Sequence, residues 1–167
     1  MKKCLFIGII TLFVASCDLK TDENNSEVNI DSSSISENTI LVDLNKFGYD
    51  ISVNVPDTVG KTLDIVQNEM SVGIFVDKRF HIAVGYDGDL DLKKEDLAND
   101  GMYQNEIISE DQNFIIYKSM LPDDSKTFYH FYGVKESNGE WYEIYDVVSE
   151  NELSESSVSK TVEYLKK

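Results

Sequence analysis

Few side chains in this chain are able to make or break bonds, and their spacing narrows the choice further. Of 167 residues, two are histidine and two are cysteine. His81 and His130 each sit in an alternating apolar stretch. A catalytic histidine needs a nucleophile and an orienting carboxylate around it, and no local motif supplies them, so both are expected to be strand histidines. Asp87-Gly88-Asp89-Leu90-Asp91 places Asp87, Asp89 and Asp91 at the first three ligand positions of a calcium loop. Such a loop also needs a glycine at its sixth position and a bidentate glutamate at its twelfth; here these are Leu92 and Ala98. The expectation is a solvated turn in which Asp89 or Asp91 caps a following helix. No metal, cofactor or catalytic residue is assigned, and no glycine-rich phosphate loop is present in the sequence.

Cys17 is the residue with the clearest chemistry. Lys2 and Lys3 open the chain, an apolar run extends from Leu5 to Ala15, and Val14-Ala15-Ser16-Cys17 precedes Asp18. A bilayer-spanning helix takes roughly twenty apolar residues, so this shorter run reads as an export signal. The tetrapeptide resembles the lipobox of bacterial lipoproteins. That resemblance implies a diacylglycerol on the Cys17 thiol and cleavage just before it. Several acyl chains, at about 0.8 kcal/mol per buried methylene, make a stable anchor. With Cys4 removed and Cys17 under lipid, no thiol remains for a disulfide or a thiolate metal site. The expected address is the cell envelope, at the outer membrane. Asp18, Asp22 and Glu23 resemble the surface-export signals of some Gram-negative groups, and the periplasmic or outward facing stays open.

These features divide the chain into a signal peptide at 1–16, an acidic tether at 17–38 and a single domain at 39–167. The tether is mostly Asp, Glu, Asn and Ser, which cannot bury enough surface to offset its ordering entropy. The formal net charge of −16 falls two units lower without Lys2 and Lys3. Such acidity argues against nucleic acid as a partner and permits a basic protein or divalent cations. Solubility alone also accounts for it.

The elements that must position everything else follow from periodicity. Tyr49, Ile51, Val53 and Val55 alternate with polar residues up to Pro56, which marks a half-buried strand. A shorter strand is expected at Thr39 to Leu44. Met70 to Val76 and Arg79 to Tyr86 form a hairpin, and a helix is expected from Leu90 to Asn99. Strands follow at Gln104 to Ser109, Asn113 to Met120 and Thr127 to Lys135, with Pro122-Asp123-Asp124-Ser125 turning between the last two. Asn138-Gly139 is the favoured two-residue hairpin turn before a strand ending near Val148. Ser154 to Lys166 reads as an amphipathic helix. The sum is an α+β fold: an antiparallel sheet of six to seven strands, one inserted helix, and a C-terminal helix packed on one face.

Phe47-Gly48-Tyr49-Asp50-Ile51-Ser52-Val53-Asn54-Val55-Pro56, the hairpin at Asn138-Gly139 and the closing Val162-Glu163-Tyr164-Leu165-Lys166-Lys167 resemble the opening strand, last hairpin and last helix of the PsbP-like fold of thylakoid extrinsic proteins and DcrB-type lipoproteins. The family often has a tryptophan after the opening proline, where Asp57-Thr58-Val59-Gly60 stands here. The resemblance implies a non-catalytic accessory domain of the envelope and carries over no site residues. Phe128, His130 and Tyr132 share one face of their strand, and if exposed could bind a carbohydrate, a peptide or a protein. Asp57-Thr58-Val59 resembles a short acceptor motif for O-glycosylation, with Thr58 as the acceptor. The expected function is a lipid-anchored, non-catalytic binding or accessory module. The alternatives are an inhibitor or immunity protein against a basic toxin or enzyme and, third, a hydrolase; oligomeric state is left open.

Overall fold

The computed structural model describes residues 38–123, 126–147 and 153–167. The signal segment, Cys17, nearly all of the tether and half of the turn at 122–125 lie outside the described residues. Strand β1 (Thr39–Asp43) pairs antiparallel with β2 (Ser52–Pro56), Val42 opposite Val53. A short 3-10 turn at Asn45–Phe47 reverses the chain between them, and Gly48 closes it at φ 88°, where a side chain would be strained. The alternation that begins at Tyr49 therefore becomes a strand only from Ser52.

The larger sheet has seven strands: β3 (Leu63–Gln67), β4 (Ser71–Val76), β5 (Phe80–Tyr86), β6 (Gln104–Glu110), β7 (Phe114–Met120), β8 (Thr127–Ser137) and β9 (Glu140–Asp146). Their spatial order is β3-β4-β5-β9-β8-β7-β6, every pair antiparallel. The chain lays down one edge, crosses to the far edge through helix α1 (Leu90–Ala98), and returns strand by strand until β9 docks beside β5. The seven strands of this sheet fall within the expected six to seven, and of the nine strands among the described residues only β3 is new. Periodicity does not mark it: Leu63 and Ile65 face inward, but Val66 on the other side is half-exposed. Asn138 and Gly139 take φ of 52° and 87° in the β8–β9 turn, as an Asn-Gly hairpin requires.

One face of this sheet carries the main core. Val72, Ile74, Ile82, Val84, Phe131, Tyr142 and Ile144 point toward β1, β2 and helix α2 (Glu155–Leu165), which contributes Val158, Val162 and Leu165. Burying each such side chain stabilises by roughly 1.5–3 kcal/mol, so this layer dominates the fold. Ser154 caps α2, its hydroxyl accepting the Ser157 N–H. Tyr49 stacks on Tyr86 at 4.5 Å, and the Tyr86 hydroxyl donates to the Gly48 carbonyl, fastening the β1–β2 connection to β5. The opposite face is covered in part by α1. Leu90 and Leu97 pack there on Ile115, Tyr117, Tyr132 and Val134. Among the described residues no helix is long and apolar enough to cross a membrane.

Candidate functional cleft

The turn that resembles a broken calcium loop leads into helix α1, whose Lys93 forms one wall of a cleft. Asp87 takes φ 59°, and at Gly88 a Cβ would meet the Tyr142 carbonyl oxygen at 2.5 Å, so only glycine lets the chain pass this close over β9. Asp89 then caps α1, its carboxylate accepting the N–H groups of Asp91 and Leu92 at 2.9 and 3.0 Å. The Asp91 carboxylate pairs with Lys94. The Asp89 N–H donates to the Tyr132 hydroxyl at 3.2 Å, which sets the start of the helix over β8. Residues 90, 93 and 97 share a helix face. With Leu90 and Leu97 on the sheet, Lys93 is carried over it too, and its Nζ lies 5.5 Å from the Tyr132 ring centre and 5.7 Å from that of Tyr117.

The other wall is made where β8 and β9 part. Asp146 is in phase with the buried Tyr142 and Ile144, and its side chain is only 5% exposed. One carboxylate oxygen accepts the Phe131 N–H at 2.9 Å, replacing a ladder bond; the other meets His130 Nδ1 at 2.8 Å. A carboxylate can only accept, so Nδ1 donates. That leaves His130 Nε2 without a protein partner among the described residues. Lys93, Tyr117, His130, Tyr132, Glu143, Tyr145 and Asp146 line a cleft of about 420 Å³. This size lies within the usual range of small-molecule sites. A larger hollow of about 770 Å³ at Gln67–Ser71 is bounded by a single β-turn and gathers no comparable set of groups.

Two phenols of this cleft, Tyr117 and Tyr132, are held in their protonated form. Burial, and then the Asp146 charge, hold Tyr117 well above the ordinary phenol value. Burial pushes Tyr132 up to about 12; the bond from Asp89 opposes this, and the Glu143 carboxylate beside its hydroxyl adds to it. Tyr117 is 8% exposed and its hydroxyl has no hydrogen-bond partner among the described residues, where no fully buried side-chain polar atom goes unpartnered. The hydroxyl therefore opens on the cleft. The site offers aromatic rings, phenolic donors, a fixed imidazole nitrogen and two carboxylates. Its lining holds no serine, threonine or cysteine that could act as a nucleophile.

The structure brings His130 and Tyr132 together here but does not display them as an exposed stripe. Tyr132 is buried beneath α1, and Phe128 is half-buried outside the lining. His81 is separate: its Nε2 meets the Asp77 carbonyl at 3.0 Å and its ring lies edge-on to Phe75. Thr58 sits half-buried in the loop after Pro56, where the Asp57 carboxylate accepts the Val59 N–H. Lys93, Glu143 and Asp146 are missed by sequence reasoning. For Asp146 a signal exists, since a carboxylate in step with Tyr142 and Ile144 is a buried polar group that must be satisfied. Comparison with known protein families, curated proteins and solved structures gives no match.

Proposed function

We propose that this chain is a lipid-anchored envelope protein whose α+β domain is a non-catalytic binding module, with the cleft under α1 as its binding site. The lipobox-like Val14-Ala15-Ser16-Cys17 supports the anchor. The observation that carries the module is the cleft's store of unspent contacts: the Tyr117 hydroxyl, the Tyr145 hydroxyl and His130 Nε2 belong to lining residues and have no hydrogen-bond partner among the described residues. Rigid strands hold these groups, which favours recognition over flexible docking. The inhibitor reading is less well supported. Exposed acids stand on α1 (Asp91, Glu95, Asp96), along the β6 edge (Glu106, Glu110) and on α2 (Glu155, Glu163), on both sides of the sheet and not on one continuous face.

One observation favours a second reading. A histidine oriented by a buried, backbone-held carboxylate beside an open cleft is also how a general base is built, and a hydrolase activating water at His130 would use it. The two readings part in one experiment. The full chain in detergent micelles is followed by NMR while fractionated envelope glycans and peptides are added. The module reading expects saturable shifts of the Tyr117, His130 and Tyr145 resonances with the added molecule recovered unchanged. Product accumulating at a rate that His130→Gln abolishes would move the assignment to the hydrolase, and a cleft that no fraction perturbs would overturn both.

A further inference from the structure

We propose that the cleft recognises an organic ammonium group, either of a free amine or of a lysine side chain, and that Lys93 occupies the place this ligand takes. The inference rests on the cleft being the binding site and adds its ligand class. Lys93 Nζ lies within 6 Å of the centres of two tyrosine rings, the range in which a ring face attracts a cation. The chain thus shows by its own side chain that the pocket solvates an ammonium. Glu143 and Asp146 stand in the same lining, yet Lys93 forms no ion pair with either. Its charge is held by ring faces. Tyr145 is a third ring in the lining, and the Tyr117 hydroxyl, which bonds no described residue, supplies an acceptor lone pair for an ammonium N–H. The negative charge of the chain as a whole draws cations toward it.

Displacement costs little, because Lys93 has somewhere to go. The N–H groups of Tyr103 and Met102 hold Asp100 below the ordinary carboxylate value, and the charge of Lys93 contributes to this, so Asp100 is within its electrostatic reach. Lys93 sits on a flexible stem, and α1 has no buried residue. An incoming ammonium can replace the Lys93 head at the rings while the helix stays in place.

Lys93 is then a competitor, and removing it should strengthen binding. The full chain in micelles is titrated with choline, pentane-1,5-diamine, the tripeptide Gly-Lys-Gly and its Nε-acetylated form, with glucuronate as an anionic probe, reading the tyrosine side-chain resonances. The ammonium probes should shift Tyr117, Tyr132 and Tyr145 saturably, and the acetylated tripeptide should not. Lys93→Gln should tighten the ammonium probes about tenfold, and Glu143→Gln should loosen them about threefold. A tripeptide that binds tenfold tighter than the free amines identifies a peptide source; equal affinities identify free amines. Weaker ammonium binding in Lys93→Gln, or cleft shifts with glucuronate alone, overturns the ammonium class and leaves the cleft as a binding site. A folded protein whose cleft responds to no probe overturns this proposal, and the separate titration with glycan and peptide fractions then decides whether the binding-site reading falls with it.

Discussion

Asp146 is the residue on which the cleft depends, because it satisfies two groups at the point where the β8–β9 ladder stops. Replacing it by alanine leaves the buried Phe131 N–H without an acceptor and His130 without its orienting partner. Stranding a buried donor and removing a charged bond together cost about 3 kcal/mol. Asp146→Asn keeps an acceptor for Phe131 and should cost about 1 kcal/mol. Urea unfolding measures both, and equal losses would show that the Phe131 bond contributes nothing. Tyr117 predicts a pH effect. Its folded-state pKa is raised above the ordinary 10 by burial, so folding favours the neutral phenol. That stabilisation is complete below about pH 10 and is lost as pH rises toward the folded value. Tyr132, pushed up to about 12, acts in the same direction. Tyr117→Phe deletes a hydroxyl that bonds no described residue, so it should leave stability at pH 7 within about 0.5 kcal/mol of the parent and unfold less readily at pH 11. Melting curves at the two pH values test this, and parallel losses in both proteins would contradict it.

At the scale of elements, Gly133 shows how tightly β7 and β8 are matched. It faces the main core with no positive φ, and the Phe114 ring occupies the space its Cβ would need. Gly133→Ala should cost about 2 kcal/mol through overpacking. Adding Phe114→Leu should return part of that loss, giving a coupling above about 0.5 kcal/mol in a double-mutant cycle; strict additivity would place the damage elsewhere. The same elements show what was legible beforehand. β2, β4, β5, the Asn138-Gly139 hairpin and both helices were readable because each has a local signal: period-two alternation in β2 and β5, an apolar run in β4, a turn dipeptide that tolerates positive φ, or a helix start at Asp89 or Ser154. β3 was not, because an edge strand with a half-exposed Val66 owes its state to pairing with β4. Of the cleft, His130 and Tyr132 were visible as one stripe, but their covering was not. That depends on α1 crossing β8 and on Asp146 meeting His130 across sixteen residues, which are tertiary facts without local periodicity.

At the scale of the whole molecule, the proposed function places this domain at a membrane and requires something to hold it there. Among the described residues no helix can span one, and an acidic chain gains nothing from anionic lipid headgroups. On the proposed reading the attachment is therefore the acyl chains on Cys17 alone, and it is hydrophobic rather than electrostatic. Two consequences separate this from peripheral binding. Washing membranes with about 1 M salt, where screening extends only about 3 Å, should leave the protein in the pellet, since lipid burial does not weaken with ionic strength. Cys17→Ala should abolish acylation, lower the pelleting fraction at least tenfold, and leave the unfolding curve of the domain unchanged, because on the proposed division Cys17 belongs to the tether that precedes the domain. Fractionation with and without salt, run beside a urea melt of both proteins, reads all three. Release of the parent by salt would assign the attachment to charge, and continued pelleting of a folded Cys17→Ala variant would remove the lipid anchor from the proposal while leaving the cleft and its ligand to be judged separately.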